Sequence, residues 1–388
     1  MLGNFLRRKK RVTYLFTGYY GFDNFGDDLF PLACHHALEQ DRDGKGAVIL
    51  SPPIGGIDAN FLVPLSLSKL YRGNGALSKL TRVFFLIYGV LLHRNLVLAG
   101  GSTIASGSSL SMRRLQLLLS NLKLCDLYAI GVSVGPFYSK KDELFAGEFV
   151  SSLRFLAVRD GRSRIECQKL RLSVLPNVHN DLAGSLPVEK ILNEDSCMSS
   201  DKPVLGISIC PYESVVGKDT KVEHSRNKAI FEGVTDFGKR YGYKIRIMVL
   251  NGNEAIGDYA LSKDLLKHLK DAGVEAELVG YQGAVSALRS IKKCNIFFSV
   301  RLHGGIAAYL LNVPFVLFEY HKKCSDFLDH IGVCSNTRIL SDSMTSTSVF
   351  QALDNVRGNY ASPATSVQEY RDESLKNFSF TERRRNDI

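Results

Sequence analysis

Residues 295–323 read NIFFSVRLHGGIAAYLLNVPFVLFEYHKK, and this stretch decides the fold. Residues 296–300 form a short apolar run with a β-branched residue at each end, the pattern of a fully buried strand. Gly304 and Gly305 follow. The small-residue run 306–311 reads as a helix that Asn312 closes and Pro314 keeps from continuing. Residues 313–318 are a second buried strand. Strand, helix, strand is the βαβ unit of a parallel sheet, with Arg301 and His303 at the carboxyl end of its first strand, the edge where such sheets bind ligands. A guanidinium, an imidazole and two glycines facing a helix N-terminus suit an anion carrying phosphate or carboxylate. Taken singly, Arg301 would more often pair with a nearby acid and His303 would more often cap a helix. Their joint position, with Glu319, His321, Lys322 and Lys323 ending the next strand, outlines a site.

The same alternation extends in both directions. Upstream, strands are expected at 204–210, 244–250 and 275–279, with helices at 227–241, 259–272 and 283–293. Further towards the N-terminus, strands are expected at 12–17, 47–51, 96–99, 127–132, 156–158 and 178–183. The first ends in GYYGFDNFGDDL, residues 18–29, before a helix at 29–40. Strand, glycine-rich turn, helix is a phosphate-cradling shape, but the spacing is not G-x-G-x-x-G and no Lys-Ser/Thr pair makes it a P-loop. Asp23, Asp27 and Asp28 would repel a phosphate, so these carboxylates and Asn24 suit sugar hydroxyls or an acid–base role. One of Asp27 and Asp28 is expected to cap the helix. Gly100 and Gly101 end the third strand, and Arg159 is a further cation at a strand end. Ligand-like residues at successive strand ends mean doubly wound α/β domains. The polar stretch 191–202 reads as a linker. The expected architecture is α/β, with two doubly wound Rossmann-like domains facing a cleft, a GT-B-like arrangement. The first spans 1–195, the second 196–360, and 361–388 is a charged C-terminal helix and tail whose last residues, 380–388, are expected to be mobile.

The composition bounds the partners. The chain has 388 residues, 45% hydrophobic, 23% charged, with a formal net charge of +10. That length gives two ordinary domains. A basic balance favours anionic partners, but no motif interleaves the cations with stacking aromatics, which places phosphorylated small molecules or a membrane surface ahead of nucleic acid. The eight cysteines show no C-x-x-C spacing, so buried reduced thiols in a cytoplasmic protein are expected rather than zinc. The N-terminus has no signal-peptide pattern, although its basic cluster, 7–11, could lie on anionic lipid. Residues 61–71 and 78–92 combine leucines and aromatics with Lys69, Arg72, Lys79 and Arg82. Core or partner-facing helices are the commoner use of such a pattern, and docking on a membrane is the other.

Four motifs resemble, in order, those of the polysaccharide pyruvyltransferase family: GYYGFDNFGDDL at 18–29, AGGS at 99–102, GVSVGP at 131–136 with VRDGRS at 158–163, and RLHGGIAAYLLNVPFV at 301–316 with a following tyrosine and lysine. The resemblance covers residues 12 to 332 and implies a GT-B-like fold. It implies an enzyme that moves pyruvyl from phosphoenolpyruvate onto two hydroxyls of a sugar as a ketal, in a surface polysaccharide or its lipid-linked precursor. By the same resemblance Arg301, His303 and the main chain of Leu302 contact phosphoenolpyruvate, with Gly304 beside them and Lys322 or Lys323 at the family's lysine. The donor then belongs to the second domain and the acceptor to the first.

The chemistry agrees with the residues. Phosphoenolpyruvate carries a carboxylate and a phosphate, and Arg301, Arg159 and Lys322 can supply the cations. Protonating its methylene carbon needs a general acid, and the attacking hydroxyl needs a base. His303, Asp27 and Asp28 are the catalytic candidates. Glu319, Asn24, Asp23, Gly100 and Gly101 are candidates for substrate binding. No cofactor is expected and no metal is required. The implied partners are phosphoenolpyruvate and a glycan or lipid-linked acceptor, with peripheral contact at the inner membrane face and a second copy of the chain left open. Two other readings compete: a GT-B glycosyltransferase using a nucleotide sugar, and a non-catalytic glycan- or phospholipid-binding protein.

Overall fold

The computed structural model describes residues 13–39, 46–107, 109–170, 172, 175–192, 202–217, 219–254, 256–340 and 344–381. The basic cluster 7–11, most of the expected linker and residues 382–388 lie outside them. The chain forms two compact units: residues 1–21, 29–186 and 372–388 make the first, and residues 22–28 with 187–371 make the second.

The first unit is built on a parallel sheet of seven strands: β1 (Thr13–Thr17), β2 (Gly46–Ile49), β3 (Asn60–Phe61), β4 (Asn95–Ala99), β5 (Asp126–Val132), β6 (Leu153–Val158) and β7 (Asn177–Val178). Their order is β3-β2-β1-β4-β5-β6-β7. Every residue of β4 is buried, as a strand covered by helices on both faces requires. Phe380 closes this core from the C-terminal segment. Its ring lies 5.2 Å from Tyr14, 5.3 Å from Tyr128 and 5.7 Å from Phe155. Asn377 reinforces it by donating to the Asn180 carbonyl at 3.0 Å. Phe380 is therefore core, where the sequence places it in a mobile tail.

The second unit repeats the plan with β8 (Val204–Ser208), β9 (Lys244–Met248), β10 (Ala276–Val279), β11 (Ile296–Ser299), β12 (Phe315–Glu319) and β13 (Ile339–Leu340), in the order β10-β9-β8-β11-β12-β13. Pairing is parallel throughout, with Phe297 opposite Phe315 and Gly206. Its core gathers Leu205, Ile207, Ile247, Phe298, Val316 and Phe318 from the strands with Ile230, Phe237 and Leu353 from the helices.

Two helices start about four residues earlier than the sequence predicts. They are Phe25–Glu39 and Leu302–Leu310; a further helix spans Lys322–Ile331. The glycines read as loop at 304 and 305 are helical. A Cβ at Gly304 would lie 2.3 Å from the Ser299 hydroxyl, and one at Gly305 would lie 3.0 Å from Leu317. They permit close helix–strand packing rather than a turn, the role of the last glycine in dinucleotide-binding βα units. The seven described cysteines are free, six buried and Cys334 exposed. No helix among the described residues is long and apolar enough to cross a membrane.

Candidate active site

In the second unit the carboxyl edge of the sheet gathers Arg301, His303 and the segment 22–28. Arg301 follows β11 directly and is the N-cap residue of Leu302–Leu310. Its carbonyl accepts from the Ser299 hydroxyl at 2.7 Å and from the Gly304 amide at 3.0 Å. Its guanidinium forks onto Asp258: Nε donates to Oδ2 at 2.7 Å and Nη2 donates to Oδ1. The Asp258 side chain is 0% exposed and that of Arg301 23% exposed. Asp258 also accepts from the Asn251 amide at 2.9 Å. Burial alone would lower the Arg301 pKa, but the paired carboxylate outweighs it and holds the guanidinium charged, above its ordinary value. A fixed arginine at a strand end, beside helix amides, is pre-oriented for an anion.

His303 lies in the first turn of that helix, half-buried, where the sequence puts it in a loop. It packs on Gly26: a Cβ there would lie 2.2 Å from its Nδ1. The 22–28 segment is held by the loop after β9. Asn24 bridges Asn251 in antiparallel fashion, Phe25 donates to the Leu250 carbonyl at 2.9 Å, and Gly252 donates to the Asp23 carbonyl at 2.8 Å. Asp23 takes a left-handed backbone, φ 59°, which Asp tolerates better than most residues. The helix cap falls to neither Asp27 nor Asp28. Asn24 stands before the first turn and its side chain accepts from the Gly26 amide at 3.3 Å. Asp28 is buried and accepts from the Tyr281 hydroxyl at 2.7 Å. Burial, then the charges of Asp28, Asp23 and Asp27, push the Tyr281 phenol up, so it stays protonated. Asp27 is half-buried. Gly304, Leu302, His303, Arg301, Asn24, Asp23, Asp27 and Asp28 thus belong to one unit.

The next strand end differs from its outline in the sequence. Both Glu319 carboxylate oxygens accept from Arg338, at 2.8 and 2.5 Å, and the Glu319 side chain is 0% exposed. His321 is the N-cap of Lys322–Ile331, its Nδ1 accepting from the Lys323 amide at 3.2 Å. Lys322 is exposed. The Tyr212 and Tyr320 rings lie 4.6 Å apart.

In the first unit, Arg159 ties strand ends together. Its guanidinium donates to the Ser133 hydroxyl at 2.8 Å, Asp181 at 2.9 Å and the Ser102 hydroxyl at 3.3 Å, and its side chain is 9% exposed. Gly100 and Gly101 follow β4 with φ of 74° and 77°, and a Cβ on Gly100 would lie 2.4 Å from the Phe30 ring. Glycine is therefore required there by the backbone.

Sequence reasoning missed Asp258, Tyr281 and Asn251. The signal was the run NGNEAIGD, 251–258, between an expected strand and helix: a strand-end loop rich in side-chain acceptors. Two further features lie apart from these residues. A cavity of about 610 Å³ between Thr220–Tyr241 and Tyr259–Asp271 is lined by Glu223, His224, Phe231, Asp264 and His268 and by none of the candidates. On Phe25–Glu39, His35, His36 and Glu39 offer ligand atoms within 4.8 Å of one another, the one such group among the described residues.

Two parallel-sheet α/β units place the chain in the GT-B-like fold class. Among solved structures it resembles the UDP-GlcNAc 2-epimerase of Neisseria meningitidis bound to UDP-GlcNAc (TM-score 0.61, 11% identity, 96% of this chain and 100% of that one). It also resembles the UDP-GlcNAc 2-epimerase of Methanocaldococcus jannaschii (0.58, 13%, 93% and 97%) and MnaA of S. aureus in its structure with UDP (0.62, 12%, 97% and 98%). At such identities the likeness shows the fold alone. No curated protein matches in sequence. The family model described as polysaccharide pyruvyl transferase matches residues 280–322, the span from Tyr281 through Arg301 and His303 to Lys322, so the family resemblance carried by the fourth sequence motif is borne out there.

Proposed function

We propose that the chain is a ketal pyruvyltransferase, moving pyruvyl from phosphoenolpyruvate to two hydroxyls of one sugar during surface polysaccharide synthesis. The observation that supports this most is Arg301-Leu302-His303 at a strand end inside the family-matched segment, with the guanidinium clamped by buried Asp258. The Arg301 guanidinium, the first amides of Leu302–Leu310 and exposed Lys322 bind the donor's carboxylate and phosphate. A general acid protonates the methylene carbon, which becomes the ketal methyl. One sugar hydroxyl attacks the adjacent carbon and loses its proton to a base, phosphate leaves, and the second hydroxyl closes the ring. Asp27 is the better acid, since Asp28 is buried against Tyr281. His303 serves as the base or holds phosphate. Glu319 holds Arg338 and Arg159 fastens its own strand ends, so both have structural roles. Free thiols fit a cytoplasmic setting.

The nucleotide-sugar reading has one observation in its favour: the structural neighbours were solved with UDP-GlcNAc or UDP. Melting with each ligand separates the two. Phosphoenolpyruvate at about 100 times its Kd stabilises the native state by about 2.7 kcal/mol, and Arg301→Ala abolishes this. Stabilisation by UDP alone would move the assignment to a glycosyltransferase.

A further inference from the structure

Residues 59–125 contain no Asp or Glu, in a chain that has 39 of them, yet they hold eight Lys and Arg. The same 67 residues carry ten of the 21 exposed large apolar side chains among the described residues. Six of these lie on the helix Ala76–Leu92, and all but Leu92, namely Leu77, Leu80, Phe84, Tyr88 and Leu91, fall on one side of it. Their spacings of three and four residues put them on one stripe. Phe84 and Tyr88 stack along it, rings 6.1 Å apart and nearly parallel at 2°. The opposite face of the helix, Phe85, Leu86, Gly89 and Val90, is buried. A Cβ at Gly89 would lie 2.6 Å from Leu15 and 2.7 Å from Leu62, so the helix is pressed onto its sheet. A surface helix in water is polar on its outer side. This one is apolar outside as well as inside, and a contiguous exposed patch of that kind marks an interaction surface.

We propose that the helix Ala76–Leu92 docks flat on an anionic lipid surface. It is not long and apolar enough to cross a membrane, whereas an apolar stripe within a segment of eight cations and no carboxylate suits the interfacial plane. Exposed Lys79 lies on the helix, and exposed Lys69 on the short helix Ser68–Arg72 before it. Arg82 has a different task, donating to the Tyr71 and Gly73 carbonyls at 2.6 and 2.9 Å. Charge decides between a bilayer and a second copy of this chain. A two-fold contact through the stripe would bring together two copies of a segment, 59–125, that holds eight cations and no carboxylate to pair with them. Anionic headgroups supply the missing charge. The proposal goes beyond the pyruvyltransferase reading, and its test needs neither donor nor acceptor.

The test is co-sedimentation of the full chain with vesicles of phosphatidylglycerol and phosphatidylcholine, and with phosphatidylcholine alone. The chain is expected to pellet with the anionic vesicles and to be released as salt rises. Lys69→Ala with Lys79→Ala lowers the affinity about 30-fold, at about 1 kcal/mol per cation. Leu80→Glu with Phe84→Glu abolishes binding at an unchanged melting temperature, because both side chains are exposed. Failure to pellet with anionic vesicles at low salt overturns the proposal, and so does undiminished binding by the Leu80→Glu, Phe84→Glu variant. A dimer in sedimentation velocity that this variant dissociates would assign the stripe to a second copy instead.

Discussion

The pairing of Arg301 with Asp258 makes a quantitative prediction. Removing one partner of a buried ion pair costs about 3–5 kcal/mol, because the other charge is stranded. The Arg301 side chain keeps 23% of its surface in solvent, which sets Asp258→Ala near the lower end, about 3 kcal/mol. For a domain of this size that is a fall of roughly 6–12 °C in melting temperature. Arg301→Ala strands a carboxylate that has no exposure, at a comparable cost at neutral pH. Burial already raises the Asp258 pKa, with Arg301 opposing. Without the arginine that opposition is lost, and the folded pKa of Asp258 rises further. A carboxyl whose folded pKa is raised stabilises at low pH and loses that contribution as pH climbs past its unfolded value of about 3.9. The Arg301→Ala deficit should therefore grow as pH rises above about 4. The double variant leaves no stranded charge and should cost about 3–4 kcal/mol instead of the roughly 6 of two independent losses, a coupling of about 2–3 kcal/mol. Urea titrations followed by circular dichroism measure all three. Single effects that add to within about 0.5 kcal/mol would refute the pairing as the element that fixes the arginine.

Three further outcomes follow from individual contacts. Gly26→Ala drives a methyl into the His303 ring; a misplacement of about 1 Å costs on the order of 100-fold in turnover, read as phosphate release, and the overpacking costs about 1–3 kcal/mol of stability. Tyr281→Phe leaves the buried Asp28 oxygen without its 2.7 Å donor and should cost about 1–3 kcal/mol in a denaturant titration. Glu223 is desolvated, but the Ser214 hydroxyl and amide and Arg226 outweigh that and hold its carboxyl below the usual value. A depressed carboxyl contributes stability above its unfolded pKa and loses it as pH falls through its folded one. Ser214→Ala should therefore be less stable than wild type at pH 6–8, and the gap should narrow below about pH 4.

Most of the sheet was legible because parallel strands buried on both faces read as unbroken apolar runs. β4, β8, β11 and β12 are buried at every position. β3 and β13 were missed: with two residues each, they carry no periodicity. Helix starts failed wherever glycine served packing instead of a turn, as at Gly26 and Gly304, because the neighbour that demands glycine is far away in sequence or on another element. Arg301 and His303 were found from their place at a strand end. The partner that fixes Arg301 was not, since Asp258 stands 43 residues upstream and only the fold joins them. Glu319 illustrates the converse. Its strand-end position suggested a ligand, yet Arg338, 19 residues later, takes both its oxygens.

The most direct test of the central claim is inorganic phosphate release from phosphoenolpyruvate, measured with the purified full chain and a panel of glycans bearing free hydroxyl pairs. Phosphate release in step with ketal formation is expected on at least one acceptor, with a loss of on the order of 100-fold or more in Arg301→Ala. No phosphate release with any pyruvylatable glycan, alongside turnover of a UDP-sugar, would contradict it.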